Sequence, residues 1–584
     1  MRNVSWPRAV SLYVPHDPKM SANFDRVWHF PSNDTDASVH ALSEALQLPP
    51  SLSQFLIKAG IDDVATAAAF LQPRLQDLSD PFLLSGVQEA VDRILGAVDR
   101  KERIVLFGDY DVDGVTSIAM LTRILRSYGA EPAQFLPHRI DEGYGLSTEG
   151  VNRCLQLFQP ELFVALDCGT ASIEQIANIQ SRGTDVIVVD HHEPKSQLPA
   201  CQALINPKTG SNFRYLCTIG LVFKLCHGLL KQRRVSEVDL KDFLDLIAVG
   251  TVADLAPLVE ENRTLVYHGL KRLASSRWIG LRALVRRAAI EGPVKASEVA
   301  FRIGPRLNAA GRIGAAQEAL DLLLTEEASE ADRLAESLDR QNRERQALEQ
   351  ATIDEAFALL SDRFDPLSAA IVVGSRGWHP GVVGIVASRL ARHFHRPTIV
   401  IGFDKDGIGK GSGRSIPGFS LVRALEACDG VLTQFGGHEM AAGVTLPFDR
   451  LASFTEMFLA TARRSLPSDL LTPKYLIDAE VSGRELNFEF LIGYERLQPF
   501  GIGNPAPLFC MRGAEPCSEP RLLKEKHRAF SVRHDGRLLR GIHFGAGSIP
   551  VPSPPWDIAF FLETNRFQDR LELQLQIEAI RSCH

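Results

Sequence analysis

Ile104-Val105-Leu106-Phe107-Gly108-Asp109-Tyr110-Asp111-Val112-Asp113-Gly114 is the stretch that decides how this chain folds. A short apolar run enters a glycine and then three aspartates at alternate positions, and Ser117 to Tyr128 follows with a helix-like pattern. An apolar run of that length, bounded by turn residues, reads as a buried strand leading into a helix. The arrangement recurs. Leu162-Phe163-Val164-Ala165-Leu166 ends in Asp167-Cys168-Gly169, and Val186-Ile187-Val188-Val189 ends in Asp190-His191-His192. A fourth apolar stretch, Leu244 to Val249, leads to Gly250-Thr251-Val252-Ala253-Asp254 and is predicted as another strand end. Apolar runs alternating with helices predict βαβ units around a buried parallel sheet. Ligands bind beyond the carboxyl ends of such strands, so acids from four segments should meet at one edge.

Carboxylates packed together repel one another unless something compensates them. Divalent cations are the expected remedy, and oxygen ligands with one imidazole suit Mn²⁺ or Mg²⁺ better than a soft metal. Two such ions are the usual device for attack of water on phosphorus. Each piece alone has a plainer reading. Asp167 could be a helix N-cap. Asp109 to Gly114 could open a Ca²⁺ loop, but the twelfth position is Met120 rather than Glu, and the flanks are strand then helix.

Working outward, Gly86 to Lys101 is predicted as an amphipathic helix on the spacing of Val87, Val91, Ile94, Leu95 and Val98, and Ser51 to Asp80 also looks helical. Residues 315–365 contain neither Gly nor Pro and predict one or two long helices. A coiled-coil dimer arm competes, although the heptads break after Leu334 and Leu338 at polar Gln341 and Arg345. From Ala369 a second α/β domain is expected, with strands at Ile371-Val372-Val373 and Thr398-Ile399-Val400-Ile401 and Gly-rich loops at Gly407 to Gly413, Gly436-Gly437 and Gly443. Past residue 469, short strand-like runs and the period-two stretch Leu571 to Ile577 predict a small β-barrel or sandwich.

At roughly 100–200 residues per domain, the 584 residues predict several domains. Hydrophobic and charged fractions of 45% and 23% exclude long disorder and collagen-like repeats. The 64 Lys and Arg against 71 Asp and Glu leave a net charge of −7, which excludes coating nucleic acid by bulk positive charge. Local basicity exists at 521–540, where Arg521, Lys524, Lys526, Arg528, Arg533, Arg537 and Arg540 face only Glu525 and Asp535, with Phe530 among them. That predicts a basic, aromatic-bearing face for a single strand, or else a solvated hairpin edge. The nine Cys form no CxxC pair, so neither a zinc site nor a disulfide framework is expected. There is no apolar run of membrane-spanning length. Met1 to Pro18 lacks the apolar core of a signal peptide. The protein is read as cytoplasmic, with Met20 as a candidate start and residues 1–19 as a dispensable tail.

The motifs resemble the DHH phosphoesterase superfamily, which takes its name from the triplet seen here as Asp190-His191-His192. Asp109 to Gly114 resembles its first motif, Asp167 its second, and Gly250 to Asp254 its fourth. Within the superfamily the chain is most similar to the bacterial single-strand-specific 5′→3′ exonucleases. This likeness rests on His138 to Leu146, Gly304-Pro305-Arg306-Leu307-Asn308-Ala309-Ala310-Gly311-Arg312, Gly377 to Arg389, Gly411 to Ser415, Phe435 to His438 with Ala441 to Gly443, and Pro499 to Pro505, and it spans residues 45–584.

The resemblance implies an α/β multidomain protein. An N-terminal extension and helical region (1–80) would precede a parallel-sheet DHH domain (81–270), a helical connector (271–364), an α/β DHHA1 domain (365–468) and a C-terminal OB-fold barrel (469–584). It further implies that Asp111, Asp113, Asp167, His191 and Asp254, with Asp109 close by, hold two Mn²⁺ or Mg²⁺ ions. Asp190 would orient His191, and His192 would touch the scissile phosphate. Arg139, Arg312, Ser412 and Arg414 would bind a 5′-phosphate and Tyr144 would stack on a base. Asn308, His379 and His438 would complete the DNA-binding set, with Arg306 either joining it or making an inter-domain salt bridge. Smaller members carry a His at the position of Phe107. The implied partners are single-stranded DNA, a single-strand-binding protein and a RecQ-type helicase, with no membrane association and a monomeric state. Two other readings remain: a phosphodiesterase for short oligonucleotides or cyclic dinucleotides, which usually lacks the C-terminal region, and an inactive scaffold, which predicts lost carboxylates where none is missing.

Overall fold

The computed structural model describes residues 26–30, 36–138, 142, 145–210, 213–314, 316–361, 365, 367–567 and 570–583. Arg139, Tyr144 and the proposed tail 1–19 lie outside the described residues. The chain opens with Val27–His29 (β1) and the helices Asp36–Leu46 (α1), Pro50–Lys58 (α2) and Val64–Leu71 (α3).

The first α/β domain follows: Val87–Arg100 (α4), Ile104–Gly108 (β2), Val112–Ser127 (α5), Ala133–Phe135 (β3), Thr148–Phe158 (α6), Leu162–Leu166 (β4), Ile173–Ser181 (α7), Asp185–Val189 (β5), Ala203–Ile205 (β6) and Thr218–Gln232 (α8). Its strands form a five-stranded sheet in the order β3-β2-β4-β5-β6, parallel at every pairing. Period-two alternation divides the buried strands between two cores. Leu106, Leu162, Val164, Leu166, Ile187 and Val189 join α4, α5 and α8 on one face. Val105, Phe107, Phe163, Ala165, Val186 and Val188 join α6 and α7 on the other. Phe107 stacks there on Phe135 and Phe163, at ring separations of 5.0 and 5.5 Å.

The fourth apolar stretch is not a strand. Leu244–Ala253 is a helix (α9), buried along Leu244 to Val252. A helix apolar on every side has no amphipathic period to distinguish it from a buried strand. The connector comprises Glu260–Leu273 (α10), Ile279–Arg287 (α11), Ala296–Glu298 (α12), a π-turn at Val299–Ile303, Gly304–Ile313 (α13), Gln317–Leu324 (α14) and the 34-residue Ala328–Ser361 (α15). α15 packs within the chain. Ala331, Leu334, Ala335 and Leu338 belong to the first domain's core, and Ile353, Ala356 and Leu360 to that of the second.

The second domain contains Ile371–Arg376 (β7), Pro380–Phe394 (α16), Thr398–Phe403 (β8), Ile408–Arg414 (β9), Leu421–Glu426 (α17), Gln434–Gly437 (β10), Ala441–Pro447 (β11) and Leu451–Ser465 (α18). Its sheet order is β10-β11-β9-β8-β7, with only β7 and β8 parallel. The segments expected as Gly-rich loops are therefore largely strands. Added Cβ atoms at Gly409, Gly411 and Gly413 would sit 2.4 Å from Phe403, 2.7 Å from Ile401 and Val444, and 2.6 Å from Ile399. Those glycines make room for neighbouring side chains.

The C-terminal part contains Lys474–Leu476 (β12), Ala479–Glu480 (β13), Phe488–Arg496 (α19), Phe509–Pro516 (β14), Arg521–Leu523 (β15), His527–His534 (β16), Arg537–His543 (β17), Trp556–Phe567 (β18) and Arg570–Ser582 (β19). Strands β14, β18, β19, β17 and β16 form a closed barrel, because β16 also pairs with β14. Phe530 is 3% exposed and packs on Trp556 in the barrel core, so it is not on a binding face as expected. The N-terminal helices dock here: Leu42, Leu52, Phe55 and Leu56 share a core with Phe490, Leu497 and Phe509, and β1 pairs in parallel with β12. Arg263 of α10 ties three parts together. It donates to Phe70 O at 3.0 Å, Arg496 O at 3.1 Å and Gln498 O at 2.8 Å.

Candidate active site

Three adjacent strands of the first sheet, β2, β4 and β5, end at one edge, and the acids follow them. Asp111 is the N-cap of α5; its Oδ1 accepts from the N–H groups of Asp113 at 2.9 Å and Gly114 at 3.2 Å. Gly114 is required by the tight turn, since a Cβ there would lie 2.3 Å from Asp109 O. Asp113 accepts from the N–H groups of Thr218 (2.7 Å) and Ile219 (2.8 Å) at the start of α8. Asp167 sits at φ +64°, a left-handed conformation Asp tolerates better than most residues, and accepts from Thr218 Oγ1 at 2.9 Å. Asp254 is the C-cap of α9, at the negative end of a helix where a carboxylate is disfavoured without a counter-charge.

His191 joins these groups. Its Nε2 lies 3.4 Å from Asp167 Oδ1, 3.8 Å from Asp113 Oδ2 and 3.8 Å from Asp254 Oδ2, buried and without a hydrogen-bond partner. Potential ligand atoms of Asp167, His191 and His192 lie within 4.8 Å of one another, as do those of Asp109, Asp111 and Asp167, and those of Asp113, Cys217 and Asp254. Burial, reinforced by the Asp111 charge, pushes Asp113 up to about 7. Burial and the neighbouring aspartates push Asp167 and Asp254 well above the usual carboxylate range. Burial takes His191 down to about 3, which keeps the imidazole neutral as a metal ligand must be. The Cys217 thiol is pushed up by burial and donates to Thr251 Oγ1 at 3.7 Å. Crowded oxygens, a neutral imidazole and an orphaned nitrogen fit hard divalent cations.

The expected link from Asp190 to His191 is corrected. Asp190 Oδ1 lies 2.7 Å from His192 Nδ1 and accepts from His192 N–H at 3.1 Å, while Oδ2 accepts from Thr170 N–H at 2.9 Å. Burial alone would raise Asp190, but its bonds to His192 and Thr170 hold it well below the carboxylate range. Burial likewise opposes the charge on His192, yet Asp190, Asp109 and Asp111 raise it. Thr170, Asn206 and Thr218 belong to this network and were not expected. Asn206 Nδ2 donates to Thr170 Oγ1 and His192 O, both at 2.9 Å. Asn206 directly follows β6, so the rule of looking past strand ends would have found it. Phe107 faces the opposite core and takes no part.

A second set of expected residues sits where α13 meets the second domain. Asn308 Oδ1 accepts from Val112 N–H at 3.2 Å, and a Cβ on Gly311 would lie 2.8 Å from Tyr110 O, so α13 leans on the aspartate loop. Arg312 Nη1 donates to Gly381 O at 3.2 Å, and His379 Nδ1 caps α16 by accepting from Gly381 N–H at 3.0 Å. Gly384 of α16 brings the helix against β9, with its Cβ position 3.1 Å from Ser412 Oγ and 3.4 Å from Arg414 Nη2. Arg414 Nη1 donates to Ser412 Oγ at 2.9 Å. Arg306 instead pairs with Asp339 of α15 at 2.9 Å, a salt bridge within the helical connector rather than the inter-domain one expected. His438 is exposed on the turn between β10 and β11. In the barrel, Arg528 donates to Ala546 O and Gly547 O, whereas Arg521, Lys524, Lys526, Arg533 and Arg540 are exposed.

The DHH family N-terminal domain matches residues 103–251, the DHHA1 domain residues 367–464 and the RecJ OB domain residues 477–579. The single-stranded-DNA-specific exonuclease RecJ of Escherichia coli (strain K12) is 35% identical over 561 residues, covering 91% of this chain and 96% of that protein. The chain belongs to the RecJ family. RecJ of Bacillus subtilis (strain 168) is also 35% identical, covering 94% of this chain and 70% of its own length. The crystal structure of Thermus thermophilus RecJ with Mn²⁺ superposes with a TM-score of 0.82 at 32% identity, covering 96% of this chain and 80% of that one. The Mg²⁺ complex gives 0.77 at 31%, covering 96% and 79%. Among the described residues no helix is long and apolar enough to cross a membrane.

Proposed function

We propose that this protein is a metal-dependent exonuclease that degrades single-stranded DNA 5′→3′ to 5′-mononucleotides in DNA repair and recombination. The observation that carries the reading is the convergence of Asp113, Asp167 and Asp254 on His191 Nε2, with Asp109 and Asp111 grouped around Asp167, in a chain whose relatives are named RecJ. Asp111, Asp113, Asp167, His191 and Asp254 would hold two Mn²⁺ or Mg²⁺ ions, with Asp109 beside them. Bound cations lower the pKa of water and offset charge on the phosphoryl group. His192, held by Asp190 and favoured in its charged form, offers a proton donor to a phosphate oxygen. Arg312, Ser412 and Arg414 read the extra charge of a terminal 5′-phosphate, with Asn308 and His379 framing the path, Arg139 and Tyr144 joining them by family likeness, and exposed His438 as an outer contact. The exposed barrel cations guide the strand. By family analogy, a single-strand-binding protein and a RecQ-type helicase supply the substrate to a cytoplasmic monomer.

An assay with Mn²⁺ on strands labelled at the 5′ or 3′ end tests this. Early release of the 5′ label as a mononucleotide is expected, with intact duplex resistant. Equal or faster turnover of a dinucleotide would favour the short-oligonucleotide phosphodiesterase instead.

A further inference from the structure

α15 carries a buried cation that the reaction above leaves unused. Arg345, the polar residue that interrupts the heptads, is 8% exposed. Its Nη1 donates to Glu349 Oε2 at 2.7 Å and its Nη2 to Asn342 Oδ1 at 2.9 Å, while Nε has no hydrogen-bond partner. Glu349 is shared, because its Oε1 lies 2.7 Å from Arg389 Nη2 on α16. Two guanidinium groups thus divide one buried carboxylate. A buried donor such as this Nε, left without a hydrogen-bond partner, is costly unless an acceptor completes the site.

Arg345 lines a pocket of about 120 Å³ together with Ala253, Asn308, Arg312 and Ile385. Ala253 immediately precedes Asp254, Asn308 is bonded to the aspartate loop, and Ile385 belongs to α16, which packs on Ser412 and Arg414. The pocket therefore adjoins both the metal cluster and the 5′-phosphate set. Its cations and amide suit a phosphate oxygen, for which the guanidinium plane is well matched.

We infer that Arg345 is a substrate-binding residue that contacts a phosphodiester of the single strand in the crease between α13, α15 and α16. This rests on the functional reading above. The rival role is a purely structural tie to Glu349.

Binding of a fluorescent 5′-phosphorylated single strand, titrated over a range of KCl concentrations, separates the two. Asp111→Ala serves as the uncleaving parent. Adding Arg345→Gln should weaken Kd about 10-fold and reduce the slope of log Kd against log salt by about 0.7, the loss of one phosphate contact. Weakening with an unchanged slope, or no weakening, overturns the inference and leaves the functional reading standing. Failure of the parent to bind the strand removes both. Should Arg345→Gln not fold, Glu349→Gln decides, since it frees Arg345 and should keep or tighten binding. A looser Kd for that variant marks a structural pair and overturns the inference.

Discussion

The sheet β3-β2-β4-β5-β6 runs parallel throughout and holds its chemistry past the strand ends, at Asp109, Asp167 and Asp190. The sheet β10-β11-β9-β8-β7 is mostly antiparallel and holds Ser412 and Arg414 inside β9. Alternation explains the second arrangement. Gly409, Gly411 and Gly413 face the core of Phe403, Ile401, Val444 and Ile399, while Ser412 and Arg414 face α16 across Gly384. A parallel sheet buried on both faces has only its edges to offer a ligand. A strand with glycine on its core face can stay flat against its neighbours and present polar groups mid-strand.

If the first sheet carries the chemistry and the second reads the chain end, damage to each should look different. Asp167→Asn retains a residue tolerant of φ +64° but removes one charge from the cluster. It should lower kcat about 10³-fold or more on every strand tested. Arg414→Ala should cost about 10–100-fold, the worth of a charged hydrogen bond, on 5′-phosphorylated ends and much less on 5′-hydroxyl ends. Equal losses on both ends for Arg414→Ala would dissolve the division between the sheets.

The acidic edge also makes stability respond to metal. Asp113, Asp167 and Asp254 are raised in the metal-free fold, Asp113 from 3.8 to about 7. A raised folded pKa stabilises at low pH, and that stabilisation is lost as pH climbs through the folded value. Chelated protein should therefore lose stability from about pH 4 to about pH 7 through Asp113, with Asp167 and Asp254 acting in the same direction. Cations bind the ionised carboxylates, so stabilisation by Mn²⁺ should grow across the same window, reaching about 2.7 kcal/mol at one hundred times Kd. Thermal melts with EDTA and with Mn²⁺ at several pH values measure this. A Mn²⁺-induced shift that is absent, or flat with pH, would disconnect the cluster from metal.

The same contrast explains what could be read in advance. Ile104 to Phe107, Leu162 to Leu166 and Val186 to Val189 announce a parallel sheet because strands buried on both faces are apolar without interruption. Their terminal acids were legible for the same reason. Leu244 to Val249 offered the identical signal from a helix, since complete burial erases either period. Glycines leave no side-chain alternation, so β9 to β11 looked like loops. Adjacent residues also conceal which histidine a carboxylate meets: Asp190 reaches His192 rather than His191 only because the chain turns beyond β5. Arg345 looked like a flaw in a heptad because its neighbours on α13 and α16 are distant in sequence.

One substitution made twice in the second sheet tests whether crowding, rather than turn geometry, calls for its glycines. At Gly411 an added Cβ would lie 2.7 Å from both Ile401 Cγ1 and Val444 Cγ2 and 3.1 Å from Val400 O, so strands on both sides would have to move. At Gly436 of edge strand β10, nothing lies within 4 Å of the added atom. Gly411→Ala should destabilise by about 1–3 kcal/mol, as overpacking of a filled core does. Gly436→Ala should stay within about 0.5 kcal/mol. Urea titration of the two variants beside the parent provides the comparison. If Gly411→Ala were as harmless as Gly436→Ala, the core-facing glycines would not be what holds β9 against its neighbours, and the placement of Ser412 within β9 and of Arg414 at its end would need another cause.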